Sequence, residues 1–248
     1  MTARRQRITG LNYRQPDNSR RRVQLPPLSL QLRAAIHHIE SLMTRPKPRA
    51  NARHIKGMLM LANTADLFEG QQWYQRAYDL ALKLIHAYEP LNLGQAIGVI
   101  AALSPNNKWE RNCRDAEELI KAWHCGADMD AVKVCTFNTN KAKAWRILCE
   151  PETDPLDVLS GRKVRAFYRC ISGYDDSVCV DGHAYAIFIG ERVPTTQTPS
   201  IGKALYAAIE RSYVLAAKAS YELCGHVLTP AQVQAVTWVT YRRLIQES

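Results

Sequence analysis

The stretch LSGRKVRAFYRCISGYDDSVCVDGHAYAIFIG, residues 159–190, decides how the chain is interpreted. Its pattern predicts two short helices, at 163–172 and 182–190, on either side of Gly173. Asp181 lies between an apolar segment and the apolar second helix. An aspartate there can cap the helix, because its carboxylate accepts hydrogen bonds from the free N–H groups of the first turn. We therefore expect Asp181 to be an N-cap that is held in place by buried apolar segments on either side of it.

The remainder of the chain also predicts helices, and no alternating strand pattern lasts more than about four residues. One helix is expected after Ser29, and others at 52–68, 71–88, 93–103, 109–124, 138–149, 202–224 and 230–246. The segment 93–103, LGQAIGVIAAL, is apolar on all sides and should be central. Thr229 and Pro230 are typical of a helix start. The fold class is therefore all-α, in one domain with two lobes.

Charge divides the chain into two parts. The 248 residues carry a net charge of +10. Residues 1–53 hold twelve basic and two acidic residues, so the whole excess lies there. Such an excess at one end is typical of a segment that binds a polyanion, nucleic acid above all, although a solvated tail has the same composition. We expect residues 1–28 to form a basic, irregular arm and residues 29–248 to form the helical domain.

Cysteine usage and hydropathy set the expected environment. Seven cysteines, without a CxxC pair, indicate reduced thiols rather than disulfides or a zinc site. No apolar run reaches about 18 residues, and the N-terminus lacks the apolar core of a signal peptide. We expect a cytoplasmic, monomeric protein without a membrane span, bound metal or cofactor.

Within 159–190, the turn Ser160-Gly161 is a candidate phosphate site. A helix that follows a glycine offers unpaired N–H groups and a partial positive charge to an anion. Arg162, Lys163 and Arg165 add cationic groups beside it. An ordinary basic surface helix would carry the same residues, so the pattern alone leaves both interpretations open.

Four segments, in order, resemble the helix-hairpin-helix DNA glycosylases, the endonuclease III-like superfamily. Its apolar helix ending L-S-x-Q is similar to Leu103–Asn106, and its K-A step at a helix start to Lys141-Ala142. Its hairpin L-P-G-x-G-R-K is similar to Leu159–Lys163, and its V-D-x-H to Val180–His183. The resemblance covers about residues 93–192, and its order and spacing are more specific than any one motif.

The chain departs from that superfamily at three points. Its hairpin lacks the proline and one of the two glycines, and Asn106 replaces the glutamine that acts as a wedge in DNA. Cys224 is the one cysteine after Asp181, so the four-cysteine iron–sulfur loop of many members is missing. The interval of 18 residues from Lys163 to Asp181 nevertheless resembles that of the lyase branch. These features indicate a divergent member.

The resemblance implies an enzyme that flips a damaged or modified base out of duplex DNA and cleaves its N-glycosidic bond. It implies that Asp181 is the catalytic carboxylate and that Lys163 can be the nucleophile of an accompanying abasic-site lyase. The implied DNA contacts are Gly161, Arg162, Arg165, Lys141 and Asn106. The implied base pocket contains Asn107, Trp109, Tyr185 and His183. It also implies two lobes with a cleft between them.

The sequence leaves two other functions open. A transferase that modifies a DNA base could use the same scaffold and keep Asp181. A non-catalytic helix-hairpin-helix protein would bind DNA alone, although it would need neither Lys163 nor Asp181 at that interval. Nor does the sequence distinguish a lesion of the host genome, as in base-excision repair, from a modified base of viral DNA, as in antiviral defence.

Overall fold

The computed structural model of the protein describes residues 50–174 and 176–246. The expected basic arm and the helix predicted after Ser29 lie outside these ranges. All regular structure among the described residues is helical, which confirms the all-α prediction. None of the helices that these residues form has the length and apolar content needed to cross a membrane.

The described residues form eleven α-helices and two single-turn 3₁₀ segments. The helices are α1 (Arg53–Met60), α2 (Thr64–Ala87), α3 (Leu93–Leu103), α4 (Trp109–His124), α5 (Asn138–Cys149), α6 (Pro155–Val158), α7 (Arg162–Ile171), α8 (Gly182–Ile189), α9 (Lys203–Ala217), α10 (Ser220–Cys224) and α11 (Pro230–Gln246). The 3₁₀ segments are Met129–Ala131 and Thr195–Gln197.

Two helix boundaries differ from the prediction. The break expected at 69–70 lies at 61–63, because Asn63 and Asp66 form a reciprocal capping box that starts α2 at Thr64. The helix expected at 202–224 is divided into α9 and α10. The last helix starts as predicted, with Thr229 accepting a hydrogen bond from Gln232 N at 3.2 Å.

Helix α3 is central, as its sequence predicts. Every residue from Gln95 to Leu103 is buried. The one polar side chain among them, Gln95, donates to Ile147 O at 3.1 Å and to Leu148 O at 2.9 Å. Burial of the amide is therefore compensated by hydrogen bonds to α5, and α3 fixes α5 in place.

Buried apolar side chains form two principal clusters. The first is built from α2 to α7 and includes Ile97, Leu119 and Ile147. The second is built mainly from α1, α8, α9 and α11 and includes Ile187 and Tyr213. Segments distant in the sequence thus share the second core.

Helices α2 and α11 approach each other closely at Gly70. A Cβ atom at Gly70 would lie 2.4 Å from the Cα atom of Val236, which no side chain tolerates. This contact positions Trp73 on α2 next to Trp238 on α11.

Candidate active site at the start of helix α8

Asp181 is the N-cap of α8, as predicted. Its Oδ1 accepts a hydrogen bond from Ala184 N at 2.8 Å, and its backbone is extended. His183 Nδ1 lies 3.5 Å from the second oxygen, Oδ2. The Asp181 side chain keeps 20% of its surface exposed, so a ligand can reach it. Capping therefore fixes the position of the carboxylate and leaves it accessible to a ligand.

Opposing effects act on the pKa of Asp181. Burial, the largest single effect, raises it. The hydrogen bond with His183, the positive charge of Lys163 and the N–H group of Ala184 together outweigh burial and lower the pKa below the ordinary aspartate value. Asp181 is therefore a carboxylate at neutral pH, in surroundings that favour its charged form.

Tyr206 holds the segment that precedes Asp181. Its hydroxyl donates to Val178 O at 3.0 Å and accepts from Val180 N at 3.2 Å. Both valines are buried. Sequence reasoning missed Tyr206, because it lies on α9 and only the tertiary fold brings it to this segment.

Lys163 lies on the first turn of α7, and its side chain is exposed. The Cys179 thiol donates to the backbone oxygen of Lys163 at 3.7 Å, which links α7 to the segment before Asp181. The structure thus brings Lys163 and Asp181 together closely enough for the lysine charge to lower the pKa of Asp181.

The hairpin between α6 and α7 leaves a helix N-terminus open. Gly161 has φ +84°, a conformation that residues with a Cβ rarely adopt, and no side chain caps α7. Arg162 is exposed beside this turn. Lys143, from α5, donates to Ser160 Oγ at 2.5 Å. The turn therefore offers free N–H groups with Arg162 and Lys143 nearby, and binding of a phosphate there stays a prediction.

Two of the predicted DNA-contacting residues lie differently from the expectation. The guanidinium group of Arg165 donates to Leu156 O and Leu159 O, so it stabilises the backbone of the hairpin. Lys141 is buried, with its Nζ 4.0 Å from Asp130 Oδ1. Phosphate contacts from these two residues stay predictions that the geometry disfavours, because their charged groups already contact other groups within the protein.

The turn after α3 presents Asn106 to solvent. Asn106 is exposed and has φ +56°. Thr136 Oγ1 donates to Pro105 O at 2.9 Å, and Asn107 Nδ2 donates to the buried Asp115 at 2.9 Å. Asn107 Nδ2 therefore helps to hold this turn, while its buried Oδ1 has no hydrogen-bond partner among the described residues, and its place in a base pocket stays a prediction. Asn106 is exposed on the turn that these contacts support.

A row of aromatic rings joins the Asn106 turn to Asp181. The ring centroids of Trp109 and Trp73 lie 5.7 Å apart, and those of Trp73 and Trp238 lie 4.7 Å apart. The His183 ring follows, 6.3 Å from Trp238 and edge-on to it. Trp73, Trp109, Trp238 and His183 are each partly exposed. The row therefore forms a partly exposed aromatic surface that begins at Trp109, three residues after Asn106 in the sequence, and ends at His183, whose Nδ1 lies 3.5 Å from Asp181 Oδ2.

A comparison with protein families finds one match that spans most of the chain. The model of a family of unknown function, DUF7178, matches residues 38–244. The chain belongs to this family. The match includes Asn106, Lys163, Asp181 and the whole aromatic row of this DUF7178 protein. No curated protein and no solved structure shows significant similarity to the chain.

The predicted pocket residues of this DUF7178 protein divide into two groups. Trp109 and His183 belong to the aromatic row, although Trp109 also packs against the first hydrophobic cluster. Tyr185 packs against the second cluster and has no ring contact with the row among those the structure shows. Sequence reasoning missed Trp73 and Trp238, which the contact between α2 and α11 brings together. In residues 50–174 and 176–246, no three histidine, cysteine, aspartate or glutamate side chains are grouped so as to hold a metal ion.

Proposed function

We propose that this protein is a DNA N-glycosylase, which flips a damaged or modified base out of the duplex and excises it. The observation that carries the proposal is the placement of Asp181. An ionised, helix-capping carboxylate lies at one end of an aromatic row, and an exposed turn bearing Asn106 lies at the other end. A flipped base needs aromatic surface, its sugar needs a nearby negative charge, and the gap in the duplex needs a wedge.

The proposed reaction uses water to break the bond between C1′ of the deoxyribose and the base nitrogen. The electron pair of that bond leaves with the base, so positive charge develops on the sugar. The Asp181 carboxylate stabilises this charge and can accept a proton from the attacking water. The products are the free base, which takes up a proton, and an abasic site.

Lys163 extends the proposal to strand cleavage. Its amine, when unprotonated, can attack C1′ in place of water and form a Schiff base with the opened sugar, from which β-elimination breaks the strand. Its position on the first turn of α7, close to Asp181, supports this role. A lysine that only binds the DNA phosphate would lie on the same turn.

The wider fold supports the same proposal. The two principal clusters suit a glycosylase-like arrangement of two lobes around a cleft, which we include in the proposal. The open turn at Gly161, with Arg162 and Lys143 beside it, suits a phosphate of the DNA backbone. Asn106 would fill the space that the flipped base vacates. The substrate would be a lesion of the host genome or a modified base of viral DNA.

The test is a base-release assay on duplexes that carry assorted damaged and naturally modified bases. Abasic sites are revealed by alkali, and covalent intermediates by borohydride. We expect release from at least one duplex. A covalent adduct that is lost in Lys163→Ala and kept in Lys121→Ala would identify Lys163 as the nucleophile of a lyase. Base release without any adduct would identify a monofunctional glycosylase. Binding of every duplex without any release would overturn the proposal in favour of a binding protein.

A further inference from the structure

We propose that the face shared by α2 and α11 binds an unpaired stretch of DNA strand beside the flipped nucleotide. We call this face the stacking groove, and it is lined by Glu69, Trp73, Trp238, Val239, Arg242, Arg243 and Gln246. The inference rests on the proposed function for the identity of the partner as DNA. It does not depend on base release.

The groove is shaped by two tryptophans at the close contact of the helices. Trp73 and Trp238 lie with ring centroids 4.7 Å apart and planes inclined at 51°, and both keep part of their surface exposed. The cavity beside them measures about 260 Å³. Flat, partly exposed rings of this kind bind bases by stacking, whatever the sequence, because every base has an aromatic face.

Arg242 gives the groove a positive charge that no ion pair with another described residue neutralises. Its guanidinium lies over the Trp238 ring, 4.6 Å from the centroid. Of the two nearby charged groups, Glu69 is paired with Arg76 at 2.5 Å and Arg243 with Asp66 at 2.7 Å. No carboxylate of the described residues forms an ion pair with Arg242. Its exposed donors are therefore available to a phosphate, and its plane to a base.

The two tryptophans of the groove each contact a ring of the candidate active site. On one side Trp238 meets the His183 ring at 6.3 Å, and on the other Trp73 meets Trp109 at 5.7 Å. Flipping a base unstacks the strand around it, so unpaired nucleotides arise where this surface begins. Paired bases cannot use it, because their faces are already stacked in the duplex.

The test measures binding of a single-stranded thymidine oligonucleotide through quenching of tryptophan fluorescence. It uses the full chain carrying Asp181→Asn, so that it does not depend on base release. We expect quenching by the single strand, weaker quenching by a duplex of equal length, and a roughly tenfold rise in Kd in Arg242→Gln. Trp238→Phe, which keeps an aromatic side chain in the packing, should reduce the quenching.

Arg146→Gln is the matched control, because Arg146 is an exposed arginine on α5 whose partner is Glu150. It should bind the oligonucleotide with unchanged Kd. Equal affinities of Arg242→Gln and Arg146→Gln, or the absence of quenching, would overturn the inference and leave the tryptophan pair as a packing contact between helices. Either result leaves the proposed function intact, since base release is measured separately on wild-type protein.

Discussion

His183 Nδ1 lies 3.5 Å from Asp181 Oδ2, on the first turn of the helix that Asp181 caps. The same imidazole contacts the Trp238 ring edge-on at 6.3 Å and the Tyr241 ring at 5.9 Å. Aromatic packing thus fixes the orientation of a side chain that favours the ionised form of the carboxylate. His183 is a positioning residue for Asp181 as well as part of the aromatic row.

Replacement of His183 by phenylalanine, which keeps a ring but has no hydrogen-bond donor, should change the pH dependence of base release. The hydrogen bond with His183 is the largest of the effects that lower the pKa of Asp181, so its loss moves that pKa upwards. A reaction that needs the carboxylate ionised then loses rate at a higher pH than in wild type. Single-turnover rates measured across acidic pH check this. An acid limb at the same pH in both proteins would show that His183 does not tune Asp181.

Replacement of Gly161 by alanine should weaken DNA binding as well as stability. Gly161 has φ +84° and open space around it, so the cost is backbone strain of about 1–3 kcal/mol rather than a clash. Relief of that strain would move the N–H groups at the start of α7. Urea unfolding and DNA titrations measure the two effects.

Gly126→Ala is the matched control for Gly161→Ala. Gly126 has φ +68° and open space around it, but it follows α4 and is not part of the hairpin between α6 and α7. It should lose stability of similar size, about 1–2 kcal/mol, and keep its affinity for DNA. Equal affinities of the two variants would show that the hairpin does not contact DNA.

Replacement of Asp115 by asparagine should loosen the turn that presents Asn106. The fully buried carboxylate accepts from Asn107 Nδ2 at 2.9 Å, Cys135 N at 2.8 Å and Arg111 Nε at 2.6 Å. An amide has one acceptor oxygen, so at least one donor loses its partner. We expect a loss of about 2 kcal/mol in the free energy of unfolding.

Because the turn that bears Asn106 is loosened, the Asp115→Asn protein should also flip bases less efficiently. A fluorescent adenine analogue beside the target base reports flipping, since its fluorescence changes when it unstacks. Asp130→Asn provides the control, because Asp130 is exposed and lies 4.0 Å from Lys141. Its stability should change by less than about 0.5 kcal/mol. An Asp115→Asn protein with wild-type stability and wild-type flipping would contradict the role assigned to this network.

Local features of the fold could be predicted from the sequence. The burial of α3 follows from a segment that is apolar on all sides, and the capping by Asp181 and Thr229 follows from each residue and the few that come after it. These effects act within one or two helical turns, so the sequence pattern contains them. The all-α class follows in the same way.

Features that depend on tertiary packing could not be predicted. Lys141 and Arg165 look like exposed cations in the sequence, but packing buries the first and the hairpin carbonyls bind the second. Trp73 and Trp238 are far apart in the chain, and nothing local pairs them. Their contact depends on Gly70, which lets α2 approach α11. The placement of Asp181 in the site thus follows from local capping, whereas the aromatic row depends on packing between helices that are distant in the sequence.

The most direct test of the proposal is the single-turnover rate of base release by Asp181→Asn on a duplex that wild type processes. Asparagine caps a helix as well as aspartate does, so folding and DNA binding should be kept. Asp154→Asn, a matched change at the N-cap of α6, should release base at the wild-type rate. We predict a fall of about 100-fold or more for Asp181→Asn alone. A wild-type rate in Asp181→Asn would contradict the assignment of Asp181 as the catalytic carboxylate.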